Sequence, residues 1–415
     1  MSVTISTDAP SYRRLFAIPG FPRLVASMML ARTAGQMVAL ILVLLALQKY
    51  GSAELAGLVT FLAVAPGIVG SPIAGALLDR HGRTRLVVLD YFIAAASLAL
   101  IAGLSAGDAL PVPGLLLIVT VSSLTQPLSN TGVRTLFPLI VPKPMWERAN
   151  AIDSNGYVVA SIVGPALAGG LVAGLGAPTA LAVTATIFAV AGVVAIGLRD
   201  PATRTDTGRL LADAWRGLVY VARHPTLRAL ALSVSTANLG WGIFFLTLPV
   251  LVLREFGGGP EFVGLLFAVL GISGSVAVLL MGRVSTLGRE RQLLAASMLG
   301  HAAAFALLLL FPNPIVAAIA MIALGISSGP FDIVLFTLRQ RRTDPAWLGR
   351  AFAVSMALNF AGFPIGSAIA GAVVPISIAA ALALAIVFQV VGAVFSMVTI
   401  PAEEPAEIAS APGLR

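Results

Sequence analysis

The chain lacks cysteine altogether, and both histidine and charged residues are scarce. Its 415 residues include no cysteine and three histidines, and Asp, Glu, Lys and Arg together make up 11% of the sequence. The absence of cysteine excludes a disulfide framework and a thiolate metal site. No HExxH pair and no group of His and Asp at metal-ligand spacing occurs in the apolar segments. We therefore expect no metal, no cofactor and no enzymatic activity.

Long apolar segments fill most of the chain instead. Hydrophobic residues make up 58% of the sequence and the mean hydropathy is +0.97, which is more apolar than a water-soluble domain of this length can bury. A membrane-spanning helix needs roughly 20 mostly apolar residues. The sequence predicts such spans at 24–47, 55–78, 86–106, 113–138, 151–174, 178–198, 228–253, 261–282, 292–311, 314–338, 350–374 and 377–400. The first is too long for a signal-peptide core and is expected to be retained.

Basic residues cluster on one side of these predicted spans. If the N-terminus is cytoplasmic, nearly every Lys and Arg falls in an inside segment, and the outside loops keep only Lys49 and Arg254. This asymmetry follows the positive-inside rule and predicts a multi-pass inner-membrane protein with both termini in the cytoplasm. The net charge of +8 thus reflects membrane topology, and lipid rather than nucleic acid is the expected partner.

The chain is predicted to consist of two related halves. Four residues recur at a constant offset of 202: Arg148, Gly164, Ala168 and Gly169 are matched by Arg350, Gly366, Ala370 and Gly371. Ordered matches of this kind indicate a duplicated unit. We expect a six-helix bundle at 1–198, a cytoplasmic linker at 199–227 and a second six-helix bundle at 228–415.

The linker contains a segment with helical amphipathicity. Leu211, Trp215 and Leu218 are spaced to share one face of a helix, opposite Arg216 and Arg223. Such a helix is typical of a membrane surface. A solvated linker helix without lipid contact is the alternative, and the sequence leaves both open.

The segment Gly75–Arg85, after the second span, has a distinctive pattern of glycine and charge. It reads G-A-L-L-D-R-H-G-R-T-R and resembles the signature loop between helices two and three of the major facilitator superfamily. An ordinary charged turn is the alternative. The resemblance implies an all-α membrane protein with twelve transmembrane helices in two pseudo-symmetric six-helix bundles. It also implies a cytoplasmic gate at Gly75, Asp79, Arg80, Gly82 and Arg83.

Other segments resemble the drug-efflux branch of that superfamily, which includes the enterobactin exporter and macrolide-efflux permeases. They are Phe21–Leu24 before the first span, Glu147–Ala151 before the fifth and Trp215–Pro225 in the linker. The resemblance covers nearly the whole chain. It implies a transporter that exports its substrate, commonly in exchange for protons.

The fifth span carries Gly164, Pro165 and Gly169 in an arrangement similar to the antiporter motif of superfamily exporters, with Ala168 where the motif has glycine. A kinked helix with a flat face of small residues would allow tight packing between the halves. Glycine and proline are also common in membrane helices generally.

Two departures from the superfamily pattern bear on the mechanism. Gln36 stands where many relatives carry an acidic residue on the first helix, and an amide cannot take up a proton. Gly282 stands where the second copy of the signature loop would have its aspartate. Proton coupling through the first helix and an acidic gate residue in the second half are therefore in question.

Three of the ionisable residues within predicted spans stand out, because a charge there costs roughly 2.5–3.5 kcal/mol on insertion scales. Asp332 is in the tenth span, Arg32 in the first and Asp90 near the start of the third. In the superfamily arrangement Arg32 and Asp332 would face one central cavity. A desolvated carboxylate there can bind and release a proton, so Asp332 and Asp90 are the candidate proton-coupling residues. A permanent ion pair or a snorkelling side chain is the alternative.

The expected cavity lining is otherwise weakly polar and rich in aromatic residues. The candidate substrate-binding residues are Arg32, Gln36, Gln126, Asn130, Asn238, Trp241, Phe245, Phe336 and Asn359. This lining suits an amphipathic or hydrophobic solute better than a sugar or a multiply charged anion. His301, in the ninth span, is expected to be a packed helix residue.

These features predict a monomeric secondary transporter that exports a lipophilic or amphipathic small molecule by alternating access, coupled to protons. The alternative within transport is an uptake permease or a lipid translocator for an anionic amphiphile, in which Arg32 would bind the anionic group. A membrane-embedded receptor or enzyme is the alternative from another class.

Overall fold

The computed structural model describes residues 12–198, 200, 210–281, 286–344 and 347–402, apart from some side chains within its helices. Every regular element in these ranges is helical. The helices of the first half are α1 (Tyr12–Ala17), α2 (Phe21–Tyr50), α3 (Ala53–His81), α4 (Arg83–Ala106), α5 (Val112–Ile140) and α6 (Trp146–Ala195). Helix α7 (Leu210–Arg223) follows. The helices of the second half are α8 (Pro225–Arg254), α9 (Pro260–Met281), α10 (Glu290–Leu310), α11 (Pro314–Arg341), α12 (Leu348–Val373) and α13 (Ile378–Thr399).

Glycine and short polar side chains mark the turns between these helices. Gly51 ends α2 with φ 63°, a left-handed conformation that costs glycine little. The side chain of Ser52 then caps α3 by accepting a hydrogen bond from the Leu55 N–H at 3.0 Å. Asn313 caps α11 in the same way through the Val316 N–H. These caps satisfy backbone groups at helix ends and allow short turns between antiparallel helices.

Eleven of the described helices are long and apolar enough to cross a membrane. One of them, α6, has 50 residues and bends at Gly176, where φ is 79° and ψ is 159°. Its two arms contain most of the predicted spans 151–174 and 178–198, so the chain turns at one glycine where a loop was expected. Because each arm of α6 is long enough to cross, the described helices are compatible with twelve crossings. The predicted all-α fold of two six-helix bundles is confirmed.

The two halves use the same helix pairings. In the first half α2 packs on α6, α4 on α6, and α5 on both α3 and α4. In the second half α8 packs on α12 and α13, α10 on α13, and α11 on both α9 and α10. Each pairing in one half has its counterpart in the other, as the offset of 202 between matching residues predicts. Helix α5 therefore corresponds to α11.

Two glycine–glycine contacts of the described residues join the halves, one between α6 and α9 and one between α3 and α12. A methyl group built on Gly169 would lie 2.9 Å from the Cα of Gly264. A methyl group built on Gly57 would lie 2.8 Å from the Cα of Gly371. Only glycine permits helix backbones to approach this closely. These contacts are related by the repeat, since Gly371 is the counterpart of Gly169.

The halves are packed together at one end of the bundle and separate at the other. We call the end that carries Arg80, Arg83 and Arg85 the basic end, and the opposite one the far end. The largest hydrophobic cluster combines residues of both halves, such as Leu44 and Phe244, and lies toward the far end. The next two clusters each contain residues of one half and lie toward the basic end. A central cleft between the halves therefore opens at the basic end.

A polar contact also closes the far end. The Arg254 side chain, from the second half, donates a hydrogen bond from Nη2 to the backbone carbonyl of Gly51 in the first half at 3.0 Å. Helix α3 begins immediately after this turn. The contact must break if the far end is to open.

Helix α7 lies at the basic end and packs on α12, α3 and α8. Gly217 and Val221 are buried against the bundle, whereas Trp215 is 65% exposed and Leu218 is also exposed. Apolar side chains of α7 thus also lie on the part of its surface that no other described helix contacts.

Candidate functional site

Helix α5 exposes two different faces within the membrane-spanning region. Leu117, Val121 and Leu124 form an exposed apolar stripe. A second exposed stripe, at a spacing of four residues, consists of Gln126, Asn130 and Arg134. Residues four apart lie on one helical face, so the polar stripe points away from the apolar one. The apolar face suits lipid, and the polar face lines the central cleft.

Helix α11 forms the corresponding wall in the second half. Ile315, Ile319 and Ile322 are exposed on its apolar face, while Asp332 and Phe336 are exposed on another. Asp332 is the repeat counterpart of Asn130 on α5. The packing between the halves is made mainly by α6–α9 and α3–α12, so these two walls stand on opposite sides of the cleft.

Asp332 makes no hydrogen bond or ion pair within the described part of the chain. Nine residues separate it from the end of α11 at Arg341, which places it roughly 14 Å from the basic end at 1.5 Å per residue. The predicted proton-coupling carboxylate is therefore accessible from the cleft.

An aromatic ring in the wall of the first half is in contact with two arginines. The guanidinium of Arg32 lies 3.7 Å from the ring centroid of Tyr157 on α6. The guanidinium of Arg134 lies 5.1 Å from the same centroid. Both distances fall within the range of a cation–π contact.

Arg32 also forms an ion pair with a carboxylate. Its Nη2 donates to the Asp153 side chain at 2.5 Å and its Nη1 to the Asp153 backbone carbonyl at 2.7 Å. Both side chains are largely buried. Arg32 thus forms an ion pair in this conformation, and an ion pair was the predicted alternative to a substrate-binding role.

The comparisons with known proteins agree with this architecture. The family model described as Major Facilitator Superfamily matches residues 24–237 and 230–414. The chain belongs to the major facilitator superfamily. Members of this superfamily are transporters and not enzymes, and the predicted membership is confirmed.

Three relatives illustrate the range of similarity to this transporter. An uncharacterised transporter of the superfamily, y4rN of Sinorhizobium fredii, is 40% identical over 95% of this chain and 98% of that protein. The multidrug efflux pump Tap of Mycolicibacterium fortuitum is 27% identical over 79% of this chain and 82% of the pump. Macrolide efflux protein A of Streptococcus pyogenes is 22% identical over 77% and 80%.

Solved structures share the fold of this transporter. The nucleoside transporter NupG matches with a TM-score of 0.71 at 14% identity, covering 92% of this chain and all of that one. A bacterial homologue of the lysosomal transporter Spinster, solved in an inward-facing and occupied conformation, also matches with a TM-score of 0.71 at 14% identity, covering 98% of this chain and all of that one.

Asp90, the second candidate for proton coupling, does not reach the cleft of this transporter. It is 3% exposed and its carboxylate faces the hydroxyl groups of Thr125 and Ser129 on the neighbouring helix α5. Burial between α4 and α5 suits a structural contact better than proton exchange with a solvent-filled cleft.

Several predicted lining residues of the second half take part in an internal polar network. Trp241 donates from Nε1 to the Nδ1 of His301 at 3.4 Å, and the Nε2 of His301 lies 3.2 Å from the Ser328 hydroxyl. Asn238 donates from its side chain to the backbone carbonyl of Asn359 at 2.8 Å. Asn359 itself is only 1% exposed. Because these side chains satisfy one another, they chiefly hold α8, α10, α11 and α12 together.

Gln36 and Phe245 are partly exposed and have close protein neighbours. Gln36 on α2 packs against Gly164 of α6, so this part of the predicted antiporter motif joins two helices of the same half, whereas Gly169 contacts the other half. Phe245 packs between the rings of Phe267 and Phe363, with centroid distances of 5.3 and 5.4 Å.

The signature loop is attached to the start of the linker. The backbone N–H of Arg83 donates to Asp200 at 2.6 Å, and its guanidinium lies 3.8 Å from the same carboxylate. Gly82 joins α3 to α4 with φ 91°, and the Arg80 side chain is exposed. The side chains at Gly75 and Asp79 lie outside the described part of the chain, so the predicted gate stays a prediction.

The corresponding loop of the second half has its own acidic residue. Gly282 lies outside the described residues, but Glu290, at the start of α10, accepts a hydrogen bond from Arg341 of α11 at 2.9 Å. The second-half loop thus has glycine where the signature has aspartate. A carboxylate eight residues later, that of Glu290, pairs with Arg341.

Sequence reasoning missed three residues of the site: Arg134, Asp153 and Tyr157. Arg134 lies within the predicted fourth span, one turn beyond Asn130, so its position alone could have identified it. Asp153 and Tyr157 are also four residues apart and within a predicted span. Their relation to Arg32 depends on the packing of α2 on α6, which the sequence does not specify.

Proposed function

We propose that this transporter exports a lipophilic or amphipathic small molecule from the cytoplasm by alternating access, in exchange for protons. The observation that carries the proposal is the central cleft, which opens at the basic end and has polar and aromatic side chains on opposite walls. The positive-inside rule assigns the basic end, and with it both termini, to the cytoplasm. A substrate would therefore enter from the cytoplasm in this conformation.

The composition of the cleft supports an amphipathic substrate. Gln126 and Asn130 on α5 offer amide groups, and Phe336 on α11 offers an aromatic surface. Sites of this kind bind largely apolar ligands and orient them through a few polar groups. The similarity to the multidrug pump Tap and to macrolide efflux protein A supports efflux rather than uptake.

Alternating access would follow from rocking of the halves about their glycine contacts. The contact between Arg254 and Gly51 would break as the far end opens, and the walls of α5 and α11 would meet as the basic end closes. Because the two halves use the same helix pairings, the state open at the basic end and the state open at the far end would have equivalent architecture. A single chain contains both halves, so a monomer suffices for this cycle.

Asp332 is the proposed proton carrier. Its carboxylate is exposed in the cleft and has no partner among the described residues. When the basic end closes, the surroundings of this carboxylate become drier, and desolvation favours its protonated form. The proton would thus be taken up and released as the conformation changes.

The experiment is dye export from proteoliposomes with an imposed pH gradient. Asp332→Asn should abolish proton movement driven by the substrate while substrate binding is retained. Glu255→Gln is the matched control, because it removes an exposed carboxylate of the same half outside the cleft. Unchanged proton flux in Asp332→Asn would reject Asp332 as the carrier, and no export of any amphipathic dye by the wild type would reject the proposed function.

The predicted alternative, uptake or lipid translocation with Arg32 as the anion-binding residue, has less support. Arg32 donates both of its observed hydrogen bonds to Asp153 and so is already neutralised. An arginine that pairs with no carboxylate of the described residues lies elsewhere in the cleft, at Arg134.

A further inference from the structure

Arg134 is a charged residue that neither the fold nor proton exchange by Asp332 explains. It lies on α5 six residues before the helix ends at Ile140, roughly 9 Å from the basic end at 1.5 Å per residue. Its side chain is exposed on the polar stripe that faces the cleft. A charge inside a membrane-spanning segment typically marks a functional position.

The hydrogen-bonding edge of Arg134 has no partner in the described part of the chain. Arg134 makes a cation–π contact with Tyr157 at 5.1 Å and no hydrogen bond or ion pair with any described residue. A cation–π contact requires only that the charge lie near the face of the ring, so it occupies none of the five N–H donors with a hydrogen bond. Tyr157 therefore holds Arg134 in place while these donors stay available.

Asp153, the acidic side chain of the cluster, already pairs with Arg32. Asp153 accepts from Arg32 through both its carboxylate and its backbone carbonyl. Arg32 lies over the same Tyr157 ring as Arg134. The cluster of two arginines and one aspartate therefore has a net charge of +1. Because Arg32 is paired with Asp153, this remaining charge is that of Arg134.

We propose that Arg134, held by Tyr157, binds an oxyanion group of the substrate, such as a sulfonate, carboxylate or phosphate. This inference rests on the proposed export function and adds a substrate class to it: amphiphiles with one negative group. The planar fork of N–H donors matches the geometry of an oxyanion.

The opposite wall would orient such a substrate. Asp332 on α11 repels a negative group, so the oxyanion would lie against the first half. The apolar part of the molecule would then extend toward Phe336, one helical turn from Asp332. A different use of Arg134 is an ion pair with Asp332 when the basic end closes, with no contact to substrate.

The test compares two naphthalene dyes that differ by one sulfonate. They are 8-anilinonaphthalene-1-sulfonate and the neutral N-phenyl-1-naphthylamine. Binding to the purified full-length protein would be measured as the dye-dependent rise in melting temperature, followed by circular dichroism. Dye uptake by detergent micelles is the same for all variants, so ratios between variants report on the protein.

R134Q should weaken binding of the sulfonate by about 10- to 100-fold, the range for a hydrogen bond to a charged group, and should change binding of the neutral dye less than twofold. R134K should fall between R134Q and the wild type, because it keeps the charge without the planar fork. R228Q removes an exposed arginine at the start of α8, outside the cleft, and should leave both dyes unaffected. The melting temperature without dye shows whether each variant is folded.

Equal loss of both dyes in R134Q, or no preference of the wild type for the sulfonate, would overturn the oxyanion site. Unchanged sulfonate binding in R134Q would do the same and would leave pairing with Asp332 as the role of Arg134. The proposed export function fails separately, if proteoliposomes of the wild type export neither dye while the sulfonate still binds through Arg134.

Discussion

The glycine contact between the halves allows a sharp prediction for Gly169→Ala. The added methyl group would lie closest to the backbone carbonyl oxygen of Pro260, and 2.9 Å from the Cα and 3.0 Å from the backbone nitrogen of Gly264. Non-bonded carbon atoms normally stand about 3.5–4.0 Å apart. Because the opposing atoms are backbone, relief requires α6 and α9 to separate by about 0.5–1 Å.

Gly170→Ala is the matched control, since a methyl group at Gly170 has no neighbour within 4 Å. Overpacking of a tight contact costs about 1–3 kcal/mol, while replacing a mid-helix glycine by alanine gains about 0.5–1 kcal/mol. Gly169→Ala should therefore be less stable than Gly170→Ala by about 1–3 kcal/mol, the helix-propensity gain being common to both.

The assay is thermal unfolding of the two purified variants in the same detergent. Gly264→Ala, on the other side of the contact, should behave like Gly169→Ala because its methyl group would lie 3.1 Å from the Cα of Gly169. Equal melting temperatures for Gly169→Ala and Gly170→Ala would refute the close approach of the halves.

Two further predictions concern the ion pair of the first half and the linker helix. Asp153→Asn leaves the largely buried Arg32 without its charged partner and should cost about 1–3 kcal/mol of stability. This is less than for a fully buried pair, because both side chains keep some exposure. Thermal unfolding should show no comparable loss for Asp108→Asn, whose carboxylate is 93% exposed. Trp215, on the exposed face of α7, should be quenched by brominated lipid in a variant that retains it as its sole tryptophan, whereas Trp241 in the corresponding variant should be quenched less; equal quenching would favour a solvated linker helix.

Most of the fold could be predicted because lipid imposes a simple rule on the sequence. Each span needs about 20 apolar residues, and breaks such as Asn313 and Ser377 are also helix caps in the structure. The predicted spans lie within or within three residues of the observed helices. Between the spans 151–174 and 178–198 the structure has a turn at Gly176 in place of the predicted loop, because one glycine with positive φ can redirect a helix without a polar loop.

The site was harder to predict because spacing gives the face of a helix but not its neighbours. Gln126, Asn130 and Asp332, all predicted to act in the cavity, lie on exposed helix faces. Asn359 looks like a cavity amide in the sequence, but tertiary packing buries it against α8. Arg32 was expected to face a substrate, and its actual partner, Asp153, is 121 residues away.

The sequence reasoning also treated the amide and aromatic residues of the second half as one lining. Trp241 and Asn238 are instead used within the second half, where His301 and Asn359 satisfy them. Polar groups buried in a membrane protein must find partners inside it. Which of them are left for a substrate is decided by the helix packing, and this information is non-local.

The central claim is that the cleft opens at the basic end and closes there during transport. The chain has no native cysteine, so pairs of spin labels can be introduced without background. Leu77 and Leu280 are exposed near the basic ends of α3 and α9, and Val112 and Ile315 near the far ends of α5 and α11. Under an imposed pH gradient with exported dye, the distance between the first pair should shorten while that between the second pair lengthens. Distances that do not change, or that change in the same direction at both ends, would contradict alternating access between the two halves.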